Sequence, residues 1–203
     1  MIVIIDYGMG NLRSVEKKLN RVGADVMVTN QKEYIINAEK LILPGVGHFD
    51  KAVKNLKKLD IWDLIDDCVM IKKTPILGIC LGMQLMGKSS AEGNSQGFGW
   101  IDAEVVKFDI YNKLKYKIPH IGWNNVIRND NDKIFDFIDS QTSFYFVHSF
   151  HMQCLNKSDI IGETIYEKKF VSAIRKENII GTQFHPEKSH DAGEKLIKNF
   201  LQI

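Results

Sequence analysis

Short hydrophobic runs alternate with amphipathic segments through the first half of the chain. Residues 1–5, 24–29 and 40–43 are mostly apolar, which is typical of strands that are covered on both faces of a sheet. Between and after these runs, apolar side chains recur every three or four positions and predict helices over 12–22, 49–59 and 61–71. Strands that alternate with helices predict an α/β fold whose central sheet is largely parallel.

The second half of the chain is richer in predicted strands. Strand-like patterns cover 103–108, 125–127, 143–147, 160–165, 170–175 and 179–184, and a helix with a capping pair at Asp191 and Glu194 follows as far as residue 201. We expect three layers, with an antiparallel β portion added to the parallel sheet. The chain of 203 residues contains no repeat or linker, so we expect residues 1–203 to form a single domain.

Cys80 follows an apolar run that Pro75 opens, and it precedes a helix-like segment. Gly78 and Gly82 flank it at two residues on either side, which suits a tight strand-to-helix turn like the nucleophile elbow of hydrolases. The N-terminus of a helix would stabilise a thiolate at this position. A cysteine in an apolar stretch is more often a small buried hydrophobe, so the catalytic interpretation requires a base elsewhere in the chain.

His185 is the strongest candidate for that base. It ends an apolar strand, and Glu187 stands two residues later, where extended geometry would bring the carboxylate to the same side as the imidazole. A nucleophile, a base and a group that orients the base are the parts of a catalytic triad. The other five histidines are dispersed along the chain and do not predict a metal site: His48, His120, His148, His151 and His190.

Two further segments have the composition of functional loops. Residues 44–47, with two glycines after a proline, would let backbone N–H groups point outward as an oxyanion hole, although an ordinary strand-to-helix turn has the same composition. Residues 119–124 combine proline, glycine and tryptophan, which predicts either a turn or a surface for a partner protein.

Charge and cysteine content exclude several classes of protein. The 27 basic and 25 acidic residues nearly cancel, and the lysines are scattered, so we expect no nucleic-acid binding. Three widely spaced cysteines without a Cys-x-x-Cys pair argue against disulfides and zinc. The apolar N-terminus meets an aspartate after five residues, so we expect neither a signal peptide nor a membrane span, and a cytoplasmic protein.

Residues 78–84 and 185–187 together resemble the class I glutamine amidotransferases. Five further segments make the chain similar to the glutaminase subunits of imidazole glycerol phosphate synthases, namely 6–11, 44–47, 119–124, 145–149 and 183–189. The resemblance extends over the whole chain and implies a flavodoxin-like fold with three layers. It also implies an enzyme that needs neither a cofactor nor a metal ion.

The resemblance implies hydrolysis of L-glutamine through a γ-glutamyl thioester on Cys80. His185 would pass a proton to the departing ammonia and later activate water, while Glu187 would hold the ring. By the same likeness, the oxyanion would be received by backbone N–H groups around Gly45, Val46 and Leu81. In the family, four positions hold the α-amino and α-carboxylate groups of glutamine. In this chain they correspond to Gln84, Glu92, Ser149 and Phe150.

The family's partner is a (β/α)8-barrel cyclase, which consumes the ammonia within a heterodimer. Positions at or near that interface match Asn11, Trp123, Tyr145 and Lys188, although a solvated surface lysine explains Lys188 equally well. Lys88 stands where family members often have glutamate, and residues 99–103 are an uncommon version of their segment. Related glutaminases supply a synthetase that amidates surface sugars, which is the alternative partner.

Two other classes of protein account for less of the sequence. A cysteine peptidase or redox sensor would use Cys80 but not Gln84, Glu92 or residues 119–124. A binding module without catalysis would leave the predicted triad without a purpose. An amidotransferase accounts for all of these segments.

We expect the free subunit to be nearly inactive. Oxyanion donors that are misaligned in the absence of the partner would prevent wasteful hydrolysis of glutamine.

Overall fold

A computed structural model describes residues 1–128 and 132–203. The helices are α1 (Leu12–Arg21), α2 (Lys32–Ile36), α3 (Phe49–Lys58), α4 (Trp62–Met70), α5 (Leu81–Gln84) and α6 (His190–Gln202). The strands of the first half are β1 (Ile2–Ile5), β2 (Val26–Thr29), β3 (Lys40–Gly45), β4 (Ile76–Cys80), β5 (Ser89–Ser90) and β6 (Ala103–Lys107). Those of the second half are β7 (His120–Asn125), β8 (Ile127–Arg128), β9 (Ser143–His148), β10 (Phe150–Cys154), β11 (Ile160–Tyr166), β12 (Lys168–Lys176) and β13 (Ile179–Thr182).

The parallel part of the main sheet has the strand order β2-β1-β3-β4-β13. The side chains of β1 alternate between two cores, with Val3 and Ile5 on one face and Ile2 and Ile4 on the other. Helices α2, α3 and α4 cover the first face, and α1 and α6 cover the second. Buried apolar strands between two layers of helices confirm the predicted three-layer α/β fold.

The antiparallel part continues from β13 through β12, β10 and β6, and β11 pairs with β12. A separate two-stranded sheet joins β7 to β9 in antiparallel register. Of the two alternatives predicted for 119–124, the turn is therefore wrong, and the predicted strand at 125–127 is divided between the end of β7 and β8. Gly122 lies within β7 and has a φ of +138°, which residues with a side chain rarely adopt. The glycine is therefore explained by the backbone conformation of the strand and not by a turn.

The start of α6 also differs from the prediction. Ser189 occupies the N-cap position without a side-chain capping bond, so the pair Asp191 and Glu194 does not form the expected cap. Glu194 instead forms ion pairs with Lys18 and Arg21 of α1, at 3.3 Å and 2.9 Å. A carboxylate that can pair with two cations of a neighbouring helix is satisfied without the local cap.

The carboxyl ends of β3, β4 and β13 lie side by side at one edge of the sheet. Gly45 of β3 is the register partner of Cys80, and Thr182 of β13 is the partner of Ile79. The segment that follows β13 leads directly to His185. Adjacent parallel strands therefore bring three sequence-distant segments together, at the edge where open α/β sheets bind ligands.

Candidate active site

Cys80 lies at the corner between β4 and α5, with a φ of +54° and a ψ of −105°. A non-glycine residue rarely adopts such a positive φ, and its neighbours must leave room for the turn. A Cβ atom at Gly82 would lie 1.7 Å from the carbonyl oxygen of Leu43, and one at Gly78 would lie 2.7 Å from the amide nitrogen of Met83. Both glycines thus have the steric role that the sequence predicted.

The helix after Cys80 is shorter than expected. It covers one turn, Leu81–Gln84, whereas the helix-like segment of the sequence reaches residue 86. A helix of one turn contributes few aligned peptide dipoles, and side chains around the sulfur must supply most of the stabilisation of a thiolate.

His185 and Glu187 form a buried ion pair. Nδ1 of His185 lies 2.8 Å from Oε1 of Glu187, and the side chains are 1% and 2% exposed. The backbone N–H of His185 donates to the carbonyl of Tyr145 on β9 at 2.9 Å, which anchors this segment beside the sheet. Within the described residues, Nε2 of His185 has no hydrogen-bond partner and remains available for a proton transfer.

The charge of His185 depends on Cys80. Burial alone would lower the pKa of His185, but the adjacent sulfur and the Glu187 carboxylate together raise it to about 10. At neutral pH the imidazole is therefore protonated and faces a sulfur that its positive charge can stabilise as a thiolate. The arrangement places a cationic acid beside a cysteine sulfur, which is the pair that nucleophilic catalysis by cysteine requires.

The loop at the end of β3 lies against the elbow. A Cβ atom at Gly45 would lie 2.4 Å from the hydroxyl oxygen of Tyr7 and 2.9 Å from Cβ of Leu81. Tyr7, which is 1% exposed, donates its hydroxyl hydrogen to the carbonyl of Pro44 at 2.7 Å. Burial and the nearby charge of Cys80 raise the pKa of Tyr7, so its hydroxyl remains a donor. Tyr7 was not predicted as a site residue, because its hydrogen-bond partner lies 37 residues away in the sequence.

A cleft of about 570 Å³ opens beside Cys80. Its lining brings together the four residues that the resemblance assigned to the substrate, Gln84, Glu92, Ser149 and Phe150, and also includes Val46 and Leu81. Oε2 of Glu92 accepts the backbone N–H of Phe49 at 3.0 Å, which fixes the carboxylate at the start of α3. His48 and Pro119 line the same cleft and were not predicted.

Three of the predicted interface residues are in contact near this cleft. The ring of Trp123, which is 48% exposed, lies 5.9 Å from the ring of Tyr145 and stacks on His190 at 4.9 Å. Nζ of Lys188 lies 5.5 Å from the centre of the Tyr145 ring, and Lys188 also lines the cleft. Asn11 occupies the exposed N-cap position of α1.

A second group of histidines lies behind the cleft, packed with Phe108 and Phe170. Nδ1 of His120 lies 3.1 Å from Nε2 of His148. Burial lowers the pKa of His120 to about 4, lowers that of His148 well below its usual value, and also lowers that of His151. These histidines are neutral at pH 7, in contrast to His185.

Neither a metal site nor a membrane span occurs in the described part of the chain. No group of histidine, cysteine or acidic side chains in residues 1–128 and 132–203 is arranged to hold a metal ion. In the same residues, every helix is too short or too polar to cross a lipid bilayer.

Comparison with known proteins gives one consistent result. The family model for glutamine amidotransferase class-I matches residues 3–203. Imidazole glycerol phosphate synthase subunit HisH 2 of Methanococcus maripaludis is 50% identical, over 100% of this chain and 99% of that protein. Subunit HisH 1 of the same organism is 43% identical over the full length of both chains. A solved glutamine amidotransferase has a TM-score of 0.75 at 18% identity, with 100% of this chain and 98% of that chain covered, and supports the fold.

The depressed pKa of His120 predicts acid destabilisation. Its folded pKa of about 4 lies below the unfolded value of 6.5, so the unfolded state binds a proton first as the pH falls. Stability present above pH 6.5 should be lost toward pH 4, by about 1.4 kcal/mol per pH unit for this residue. Urea unfolding of the wild type and His120→Gln between pH 7.5 and pH 5 measures the effect. The variant should show the weaker pH dependence, and equal slopes would contradict this assignment.

Proposed function

We propose that this chain, which belongs to the glutamine amidotransferase class-I family, is the subunit of an imidazole glycerol phosphate synthase that releases ammonia from L-glutamine. The observation that supports this most directly is Cys80 on a strained elbow beside the buried pair of His185 and Glu187, at the floor of a cleft. Nucleophile, acid and orienting carboxylate are the groups that acyl transfer requires.

The proposed reaction has two steps. The thiolate of Cys80 attacks the side-chain carbonyl carbon of glutamine, and His185 gives its proton to the amide nitrogen, which leaves as ammonia. His185 then removes a proton from water, which attacks the γ-glutamyl thioester and releases glutamate and the thiolate. Glu187 keeps the imidazole oriented in both steps through the 2.8 Å contact at Nδ1.

The oxyanion formed in each step would be received by backbone N–H groups around Gly45, Val46 and Leu81. Gly45 lies opposite Cys80 in the sheet, and Val46 and Leu81 line the cleft. One such donor contributes on the order of 3 kcal/mol to lowering a barrier of this type. Tyr7 holds the carbonyl of Pro44 and thereby limits the positions that the Gly45 peptide can adopt.

The amino-acid end of glutamine would bind at the opposite wall of the cleft. Glu92 offers a carboxylate to the substrate ammonium, and its bond from the Phe49 N–H fixes its position in advance. Gln84 and the backbone at Ser149 and Phe150 would hold the substrate carboxylate and ammonium groups. All four residues line the same cleft as the sulfur.

The proposed partner is a (β/α)8-barrel cyclase that uses the ammonia to form imidazole glycerol phosphate and an aminoimidazole carboxamide ribotide. The relatives are named as synthase subunits, which supports a partner subunit. Trp123, Tyr145 and Lys188 form a half-exposed aromatic and basic surface beside the cleft, where ammonia would leave. Aromatic and basic anchors of this kind are typical of protein interfaces. Asn11 is proposed as a further contact.

A synthetase that amidates surface sugars remains the second candidate partner. Methanococcus maripaludis has two subunits of this type, and the chain is 50% identical to one and 43% identical to the other. Two copies in one organism are expected if they supply ammonia to different synthetases. Lys88 forms an ion pair with Asp102 at 2.6 Å, so its substitution relative to the family is accommodated locally.

We propose that residues 1–203 act as one domain in the cytoplasm. Side chains from β1 to α6 contribute to shared cores, which supports one folding unit. The three cysteines are free thiols, as is usual in a reducing compartment.

Replacement of Cys80 by alanine should abolish glutamine hydrolysis, because the variant lacks the sulfur that forms the thioester. The variant should still bind the cyclase and support synthesis when free ammonia is supplied. Steady-state assays with glutamine and with ammonium salt test both statements on the complete two-subunit complex. Residual hydrolysis at the wild-type rate would refute the mechanism.

The same assay on wild-type protein identifies the partner. The free chain should be nearly inactive, and the cyclase with a substrate analogue should stimulate hydrolysis strongly. Stimulation by the sugar-amidating synthetase alone would favour the second candidate.

Replacement of Tyr7 by phenylalanine should lower kcat about five- to tenfold with little change in KM. The reason is that loss of one buried hydrogen bond of about 1 kcal/mol loosens the oxyanion donors and leaves the substrate contacts in place. Thermal unfolding of the variant serves as a control for folding. An unchanged kcat would show that the Pro44 contact does not position the loop.

Replacement of Trp123 by alanine should raise the Kd for the cyclase by at least about tenfold, as expected for an aromatic anchor at an interface. Phe137→Ala is a matched control, because Phe137 is an exposed aromatic residue in a different groove. Calorimetry or surface binding measures both affinities. Equal effects of the two substitutions would argue against the proposed interface.

A further inference from the structure

Gln183 has no role in the mechanism described so far, yet its side chain touches the nucleophile. It is fully buried directly after β13, two residues before His185. Its Nε2 atom lies 3.5 Å from the Cys80 sulfur, and its Oε1 atom lies 3.1 Å from Nε2 of Gln84. Its backbone N–H donates to the carbonyl of Ser172 at 2.9 Å, so main chain and side chain are both fixed.

The backbone carbonyl of Phe150 determines how these amides are oriented. A carbonyl oxygen can only accept, so the Gln84 atom that lies 3.0 Å from it must be the amide nitrogen. The second hydrogen of that nitrogen is then directed to Oε1 of Gln183. With its oxygen facing Gln84, Gln183 must present its NH₂ group to the sulfur. A flipped amide at either glutamine would place two donors or two acceptors against each other.

A second set of hydrogen bonds, from His120 and His148, also ends at the Phe150 carbonyl. Nδ1 of His148 lies 2.8 Å from the Phe150 oxygen and must donate to it, which leaves Nε2 of this neutral imidazole as an acceptor. Nδ1 of His120 then donates to that nitrogen at 3.1 Å. Two donors on the Phe150 oxygen use both of its lone pairs. Two sets of donors therefore converge on the Phe150 oxygen, and the second hydrogen of the Gln84 amide continues the network to Gln183 and the sulfur.

We propose that Gln183 is a further catalytic residue, whose Nε2–H group donates a hydrogen bond to the sulfur of Cys80 and stabilises it as a thiolate. This inference rests on the proposed function of Cys80 as the nucleophile. Gln84 is then a positioning residue as well as a substrate contact, because it orients the amide of Gln183.

The donor matters at both ends of the reaction. When Cys80 is a thiol, its S–H group can point to the carbonyl of Val147, which is 3.9 Å away. After ionisation that carbonyl offers no stabilisation, whereas the amide of Gln183 does. The thiolate is also the group expelled when water hydrolyses the thioester, so the same N–H group assists the second step. The titratable groups around the sulfur include His185 and Tyr7, whose pKa values Cys80 raises, and Glu187, which pairs with His185. His48, Glu92, His148 and Lys188 line the same cleft.

The test is the pH dependence of Cys80 alkylation by iodoacetamide in the full-length chain, with the Cys80 peptide quantified by mass spectrometry. Gln183→Glu keeps the shape of the side chain and the acceptor for Gln84, but it replaces the donor by a negative charge. The midpoint of its alkylation profile should shift upward by about one pH unit, so that Cys80 reacts about tenfold more slowly at pH values below the wild-type midpoint. Gln183→Met, which removes the donor without adding charge, should shift the profile in the same direction by less.

Gln31→Glu is the matched control, because it makes the same chemical change on the surface and should leave the profile unchanged. Profiles of both Gln183 variants that coincide with the wild type would overturn the inference. If Gln183→Glu fails to fold, Gln183→Met decides the question alone. The assay contains neither glutamine nor a partner. A profile that depends on Gln183, combined with no glutaminase activity in the complex with the cyclase, would refute the proposed function and leave the hydrogen bond from Gln183 to the sulfur established.

Discussion

The strained backbone at Cys80 is the constraint on which the site depends. A positive φ at this residue turns the chain sharply out of β4 and places Cys80 in the lining of the cleft, at the edge of the sheet. The turn fits only because Gly82 passes against the backbone of β3, where any side chain would collide with Leu43. The same close approach sets Gly45 opposite the sulfur. The proposed nucleophile and the proposed oxyanion loop are thus positioned by one close contact between α5 and β3.

Burial and neighbouring charged groups determine which histidines near the sulfur are protonated at neutral pH. His185 is buried yet carries a raised pKa, because the sulfur and Glu187 both favour its charged form. His120 and His148 are also buried but have no carboxylate partner of this kind in the described structure, and their pKa values fall. Histidine therefore supplies both a cationic acid beside the sulfur, at His185, and neutral hydrogen-bonding groups behind the cleft, at His120 and His148. The difference in charge between these histidines comes from their surroundings: a carboxylate and a sulfur at His185, and burial without such partners at His120 and His148.

Sequence patterns predicted those site residues that act on neighbours only a few positions away in the chain. Gly78, Cys80 and Gly82 lie within one turn, and His185 and Glu187 are two residues apart, so spacing alone indicated their geometry. Tyr7 and Gln183 were missed because each acts on a segment that is distant in sequence, at Pro44 and Cys80 respectively. A turn was one of two alternatives for residues 119–124 because proline and glycine usually mark turns, whereas pairing with β9 makes this segment the strand β7. Tertiary contacts also replaced the expected cap at α6 with ion pairs to α1.

The most direct test of the account is to trap the covalent intermediate. Rapid acid quenching of the chain with its partner during turnover of isotope-labelled glutamine should yield protein that carries a glutamyl group on Cys80. Hydroxylamine should release that group as γ-glutamyl hydroxamate, because a thioester reacts readily with this nucleophile. Glutamate formation at the full rate, without any label on Cys80, would show that the sulfur is not the nucleophile and would contradict the mechanism.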